Sequence, residues 1–422
     1  LPAGHFLVWE KGWLRKERFW RSPFAGTPAA NGAPAGESED QAARRLADLL
    51  QDAVRRQLMS DVPLGSYLSG GMDSGSICAV ASRRIPHLHT FTGGFHTAGV
   101  PGDEALSDER VAAESMAVAL GTEHYQMLVQ PADMPRVMPS LIWHLEDLRV
   151  GSSYHNYYVA RLASRFVKVV LSGAGGDELF GGYPWRYRHA EGARDGADFV
   201  KRYAEYWSIL VPEQSHGGFF AGALGAVARG FSAGEAVADV MAGAGAETPL
   251  DMALTFEART YLQGLFAVED KLSMAHSLES RVPFLDNDLV DFASSIPARY
   301  KLRQGESKVV LRRAMRGLIP DHILSARKQG FAPPEDAWYR GPALPYLREV
   351  ILSPRSLARG YFQPQALQRV FEEHAGGGVR RAGQQTGAPG GGRNHKKLLW
   401  SLLCFEWWNR VFVDGERPAP GK

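Results

Sequence analysis

Cysteine is scarce: Cys78 and Cys404 are the only two in 422 residues. They lie far apart in sequence, which fits a reduced compartment without a disulfide framework or a CxxC metal site. Charge of one sign is scarce too. The net charge is only +2, from 48 basic and 46 acidic side chains, so no global field draws the chain to nucleic acid or to an acidic membrane surface. There is no run of about 18 apolar residues and no signal-peptide pattern, which predicts a cytoplasmic protein without a membrane anchor. Ser74 is not set in GxSxG, so a serine-hydrolase elbow has no support. His87 and His89 alternate on a strand edge without further metal-ligand spacing and are assigned no chemistry. The partner that remains is a small molecule.

What is present is 45% hydrophobic residues in a chain long enough for two domains. Phe6 to Trp9 and Trp13 to Phe19 alternate apolar and polar residues about Lys11-Gly12, the pattern of a β-hairpin. A hairpin needs a sheet to pair with, so a preceding domain is expected to be missing from this chain. Arg21 to Glu37 has the Pro, Gly and Ala content of a linker. Ser38 and Gln41 form a capping-box pattern opening a helix to about Leu58, with the apolar stripe Leu46, Leu49, Leu50, Ala53, Val54 and Leu58.

From Leu64 to about Phe180 strands and helices alternate. Gly65 to Leu68, His89 to Phe95, His124 to Leu128 and Val167 to Leu171 read as strands, and Asp108 to Leu120 as a helix ending before Gly121. This is an α/β pattern: a parallel sheet with helices on both faces, binding ligands beyond the carboxyl ends of its strands. Two glycine-rich loops fall at that edge, Ser69 to Ser74 (SGGMDS) after the first strand and Ser172 to Asp177 (SGAGGD) after the fourth. A strand, a glycine turn and a helix start bring backbone N–H groups onto an anion. The first loop matches neither GxxxxGK[ST] nor GxGxxG, so it is not a Walker or dinucleotide loop. The remainder reads as mainly helical, with an excursion over Glu191 to Leu250 and helices at Leu254 to His276, Ser307 to Arg316, Gln363 to His374 and Lys396 to Phe412. Gly376 to Gly392 is a low-complexity loop and Gly415 to Lys422 a loose tail.

Each glycine loop delivers an aspartate, Asp73 and Asp177. Two carboxylates facing a polyphosphate suit Mg²⁺, which takes few protein ligands. Taken alone, Lys308 reads as a solvent-facing lysine on a helix, and Cys78 as a buried thiol.

Longer matches follow. SGGMDS resembles the pyrophosphate loop of the ATP-pyrophosphatase superfamily, and VVLSGAGGDELFGGY (Val169 to Tyr183) resembles the second signature of the asparagine synthetase family. EDKLSMAHSLESRVPFLD (Glu269 to Asp286), SKVVLRRAMRGLIPDHIL (Ser307 to Leu324), KQGFAPPEDAW (Lys328 to Trp338) and NHKKLLWSLLCFEWW (Asn394 to Trp408) continue the resemblance in the family's order. It implies an asparagine synthetase-like ATP-pyrophosphatase domain over residues 38–412, in which a parallel five-stranded-type sheet with helices on both faces, like that of the adenine nucleotide alpha hydrolases, is followed by a mainly helical C-terminal part. Residues 1–20 then look like the last strands of an N-terminal glutaminase domain, 21–37 a linker and 413–422 a tail. Glutamine-dependent members use an N-terminal cysteine of that domain as nucleophile, whereas this chain starts at Leu1.

The implied chemistry has two steps. A carboxylate, aspartate first among candidates, attacks the α-phosphate of ATP to give an acyl-adenylate and pyrophosphate. Ammonia, derived from glutamine in the full-length protein, then displaces AMP to form the amide. By motif position Leu68, Ser69, Gly70, Gly71, Asp73, Ser74 and Gly94 would hold nucleotide and pyrophosphate, and Asp73 and Asp177 would bind Mg²⁺. Lys308 would neutralise the charge developing on phosphate, against its solvent-facing reading. Ser172, Gly173, Gly176 and Glu178 would approach the substrate, while Asp270, Arg281 and Asp286 would order the pocket wall. A homodimer is open.

Two departures fall where substrate is read. Many family members carry Glu at the third position of the second loop, where this chain has Ala174, and a methyl group accepts no proton. Leu148 and Arg149 replace a proline-containing stretch after Glu146 and Asp147. These changes keep one alternative alive: another acid or an internal amine, as in the related β-lactam synthetases and peptide-cyclising enzymes. A nucleotide-binding relative without catalysis is a further alternative, against which the intact SGGMDS, Asp177 and Lys308 argue.

Overall fold

The structure is a computed structural model that describes residues 1–20, 37–326, 330–376 and 395–418. Most of the linker, the low-complexity loop, Lys328 and the end of the tail lie outside the described residues. Strands β1 (His5–Glu10) and β2 (Trp13–Arg18) form the expected antiparallel hairpin, with Glu10 opposite Trp13. Lys11 and Gly12 both have positive φ, 50° and 84°, the geometry that matches a two-residue turn to the twist of its strands. Helix α1 (Glu39–Gln57) opens on the expected capping box: Gln41 N–H donates to Ser38 Oγ at 3.3 Å and Ser38 N–H to Gln41 Oε1 at 2.9 Å. Its Leu46, Leu50, Ala53 and Val54 are buried.

The strand and helix alternation then runs β3 (Leu64–Tyr67), α2 (Met72–Ala81), β4 (His89–Phe95), α3 (Arg110–Leu120), β5 (Glu123–Val129), α4 (Asp133–Leu145), α5 (Tyr154–Ala163), β6 (Val169–Leu171) and α6 (Gly176–Phe180). A fifth strand, β7 (Glu279–Arg281), completes a parallel sheet in the order β5-β4-β3-β6-β7. The chain builds outward from β3 to β5, returns, and builds the other way from β6. The order therefore reverses between β3 and β6, the place where open parallel sheets leave a crevice. Both glycine loops leave the sheet there.

One face of the sheet packs Leu46, Leu50, Ile77, Met116 and Leu171 into the main core, and the other packs Phe91, Ala160, Ala163, Val167 and Val170. Cys78 is fully buried in the main core, and burial pushes its thiol up to about 12. Helix α3 stops at Gly121 in the left-handed region, φ 65°, as the sequence predicts. The expected helix Leu254 to His276 is two helices, Pro249–Arg259 and Tyr261–Met274, separated at Thr260. The tail is tied down further than expected, because Asp414 and Glu416 pair with Arg355 at 2.6 and 2.9 Å.

His155 and His374 are 2% and 0% exposed. Burial holds their pKa values at about 3 and about 4, below the ordinary 6.5. The unfolded chain therefore takes up a proton at each site as pH falls below about 6.5 while the folded chain does not, so stability falls with falling pH. The expected loss is about 1.4 kcal/mol per pH unit for each group, down to its folded value. Urea midpoints measured at pH 7 and pH 5 should drop accordingly, and equal midpoints would show that these imidazoles are protonated in the folded chain.

Candidate functional site

The first loop is held together by its own hydrogen bonds. Ser69 N–H donates to Ser74 Oγ at 3.0 Å, the two hydroxyls lie 3.0 Å apart, and Gly71 N–H donates to Ser69 Oγ at 3.0 Å. Helix α2 then starts at Met72 without a side-chain cap. Its first turn has N–H groups with no intrahelical carbonyl to serve, and these carry the positive end of the helix dipole.

The second loop closes against the first, backbone to backbone. A Cβ on Gly173 would lie 2.7 Å from the Ser74 amide nitrogen, and one on Gly176 would lie 2.6 Å from the Asp73 carboxyl carbon. Only glycine permits that approach. Ser172 N–H donates to Arg281 O at 2.8 Å, which anchors the loop to the end of β7. Gly175 turns the chain at φ 97° into α6, which also begins without a side-chain cap.

Lys308 joins the two loops. It precedes the short helix Val309–Ala314 in the left-handed region, φ 57°, and its N–H donates to Phe180 O at 3.2 Å. Its Nζ lies 2.6 Å from Asp73 Oδ2 and 2.5 Å from Asp177 Oδ1. The three residues are 3%, 8% and 7% exposed, so the solvent-facing reading of Lys308 is corrected. Two carboxylates and one ammonium leave one negative charge, which the uncapped starts of α2 and α6 offset. The carboxylates are hard oxygen donors facing one point. Among the described residues no group of three His, Cys, Asp or Glu forms a metal site of its own. Two carboxylates suit Mg²⁺, which fills its other positions with water and phosphate oxygens.

The other predicted site residues are held as follows. Leu68 has no backbone group to spare, since its N–H donates to Phe91 O at 2.9 Å and its carbonyl accepts from Thr92 Oγ1. Gly94 abuts the Asp108 and Arg110 ion pair. Burial alone would raise the pKa of Asp108, but the Arg110 hydrogen bonds prevail and hold it low. Glu178 is 1% exposed and accepts from Tyr183 Oη at 2.6 Å, so it braces the loop from within. Arg281 and Asp286 grip the end of α1 rather than a pocket wall: Arg281 donates to Gln57 O and Met59 O at 2.6 and 2.7 Å, and Arg56 donates to Asp286 at 2.6 Å. Asp270 is exposed.

Residue patterns also missed groups nearby. Arg186 pairs with Glu257 at 2.6 Å and lies 4.1 and 3.9 Å from the Tyr183 and Tyr261 ring centres, which holds Tyr183 against Glu178. Glu269 accepts from Ser280 Oγ at 2.5 Å and from Ser172. Its position in the sequence carries a signal, because Leu262, Phe266, Glu269 and Ser273 recur at the spacing of one helix face. Arg149, one of the departures, packs directly on Gly264.

Comparison with known proteins bears on the family of the chain. The sequence model of the family described as Asparagine synthase matches residues 45–410. The chain is 28% identical over 416 residues to asparagine synthetase [glutamine-hydrolyzing] 1 of Bacillus subtilis, covering 91% of this chain and 62% of that protein. It is 33% identical over 427 residues to a putative asparagine synthetase [glutamine-hydrolyzing] of Mycobacterium bovis, covering 94% and 61%. With asparagine synthetase [glutamine-hydrolyzing] 1 of Arabidopsis thaliana it shares 27% over 361 residues, covering 78% and 48%. The chain thus spans about three-fifths of the length of the first two relatives, at 62% and 61%. With a family match over most of its length and the loops meeting at the sheet's reversal point, the chain belongs to the asparagine synthase family.

Proposed function

We propose that this chain carries the synthetase half of an ATP-dependent amide-forming enzyme. The observation behind this reading is the single Lys308 ammonium held by the aspartates of both glycine loops. Phosphoryl chemistry needs charge stabilisation and positioning more than covalent help from the protein. Lys308, the N–H groups opening α2 and the hydroxyls of Ser69 and Ser74 can supply it to the β- and γ-phosphates. Asp73 and Asp177 would hold Mg²⁺, which when bound would neutralise charge on the departing pyrophosphate.

In the first step a carboxylate oxygen bonds to the α-phosphorus while the bond to the β-phosphate oxygen breaks, releasing pyrophosphate. In the second an amine bonds to the acyl carbon, AMP leaves with the electron pair of the broken C–O bond, and the nitrogen loses a proton. Aspartate and glutamine-derived ammonia are the leading substrates, because the curated relatives are named glutamine-hydrolyzing asparagine synthetases. The N-terminal hairpin is then the edge of a glutaminase domain. Ala174 and the packing of Arg149 on Gly264 favour keeping a second reading, in which a different acid or an internal amine is used.

ATP–pyrophosphate exchange should appear with at least one carboxylate of a panel headed by aspartate. ATP binding without exchange for any acid would revive the non-catalytic reading. Asp73→Ala and Lys308→Ala should each lower exchange by about 100-fold or more while leaving a folded circular-dichroism spectrum. Near-normal exchange in either variant removes that residue from the mechanism. Mass analysis of the products of ATP, aspartate and ammonium separates the two enzyme readings, since only the first yields asparagine.

A further inference from the structure

One carboxylate beside the second loop has no part in holding phosphate. Glu269 lies on the helix Tyr261–Met274, on the face that turns toward the ends of β6 and β7. Ser280 Oγ of β7 donates to its Oε1 at 2.5 Å. The Ser172 hydroxyl donates to it from the start of the second loop. Ser172 Oγ in turn accepts the Ala174 N–H at 3.3 Å. The carboxylate is therefore linked through one hydroxyl to the backbone of Ala174, whose own methyl can accept nothing. Tyr67, the last residue of β3, lies near enough for the Glu269 charge to act on its phenol.

This places Glu269 beside β3, β6 and β7, bonded to the residue that precedes Gly173, which itself sits on Ser74 of the first loop. Glu269 is only half-buried. Desolvation raises its pKa, opposed by the Ser172 and Ser280 hydrogen bonds. A carboxylate whose proton affinity is raised is better matched to accept a proton near neutral pH. Asp270, its neighbour in sequence, is exposed, so the helix turns one of the two carboxylates inward and the other to solvent.

We propose that Glu269 is a catalytic residue of the amide-forming step, the group that accepts the proton shed by the attacking amine. The amine lone pair forms the C–N bond to the acyl carbon, the C–O bond to AMP breaks with its electrons going to the phosphate oxygen, and one N–H proton passes to a Glu269 oxygen. Ser172 and Ser280 aim the carboxylate. The inference rests on the adenylating reading above and concerns only its second half.

The test separates the two halves. Glu269→Gln keeps an acceptor for the serine hydroxyls, so the fold and ATP–pyrophosphate exchange should stay within about twofold of wild type. Amide formation from ammonium chloride, with aspartate or whichever panel acid supports exchange, should fall by about 100-fold or more. Hydroxylamine, a weaker base whose attack leaves a more acidic nitrogen, should still trap the acyl group as a hydroxamate. Glu269→Asp should recover part of the ammonia reaction. Equal amide rates in wild type and Glu269→Gln overturn the proposal. A parallel loss of exchange, hydroxamate and amide overturns it too, by showing a structural role. Absence of exchange in the wild type overturns the adenylating reading and this one with it.

Discussion

The buried ammonium of Lys308 between the carboxylates of Asp73 and Asp177 is the contact on which the rest of the site depends. Removing three ionised groups from water costs several kcal/mol each unless good geometry and mutual attraction offset it. Here one cation shared by two anions leaves one negative charge, toward which the backbone turns the positive ends of two helices. The pieces come from three distant stretches of chain, so the contact closes only when the sheet is assembled. The left-handed backbone at Lys308, φ 57°, is a conformation that few non-glycine residues adopt. Its N–H bond to Phe180 and the ion pairs to both aspartates hold the residue there.

Glycine makes this contact geometrically attainable. With Gly173 seated on Ser74 and Gly176 on Asp73, the two loops approach more closely than any side chain would allow. The topology supplies the rest. Because β3 and β6 are neighbours whose connections depart in opposite directions, the loops after them line the crevice at the reversal point. Sequence spacing, sheet order and electrostatics therefore converge on one place. The hydroxyls of Ser69 and Ser74 already bond each other, so an arriving phosphate exchanges partners within a prefolded loop instead of ordering a disordered one.

Much of this arrangement could be read from residues alone. Alternation of apolar runs and glycine loops gave the parallel sheet, the hairpin about Lys11-Gly12 and the capping box at Ser38, because those patterns are local. Lys308 could not be placed that way. A lysine near a helix start is usually solvated, and its partners lie 235 and 131 positions away in sequence. Only the family resemblance moved it inward. Strand β7 escaped because its three residues, Glu279, Ser280 and Arg281, are all polar and show no alternation, and its pairing to β6 is decided by tertiary contact. The bond of Glu178 to Tyr183 escaped for a related reason. Its neighbour Asp177 faces the crevice, but one residue along a helix turns the side chain by about 100°, here into Tyr183.

A structure of the protein with ATP and Mg²⁺ bound is the most direct examination of the Lys308 cluster. The arrangement predicts the β- and γ-phosphates against the N–H groups that open α2, with Lys308 Nζ moved from carboxylate to phosphate oxygen and the metal between Asp73 and Asp177. A triphosphate lodged away from both glycine loops, with the Lys308 bridge undisturbed, would refute it.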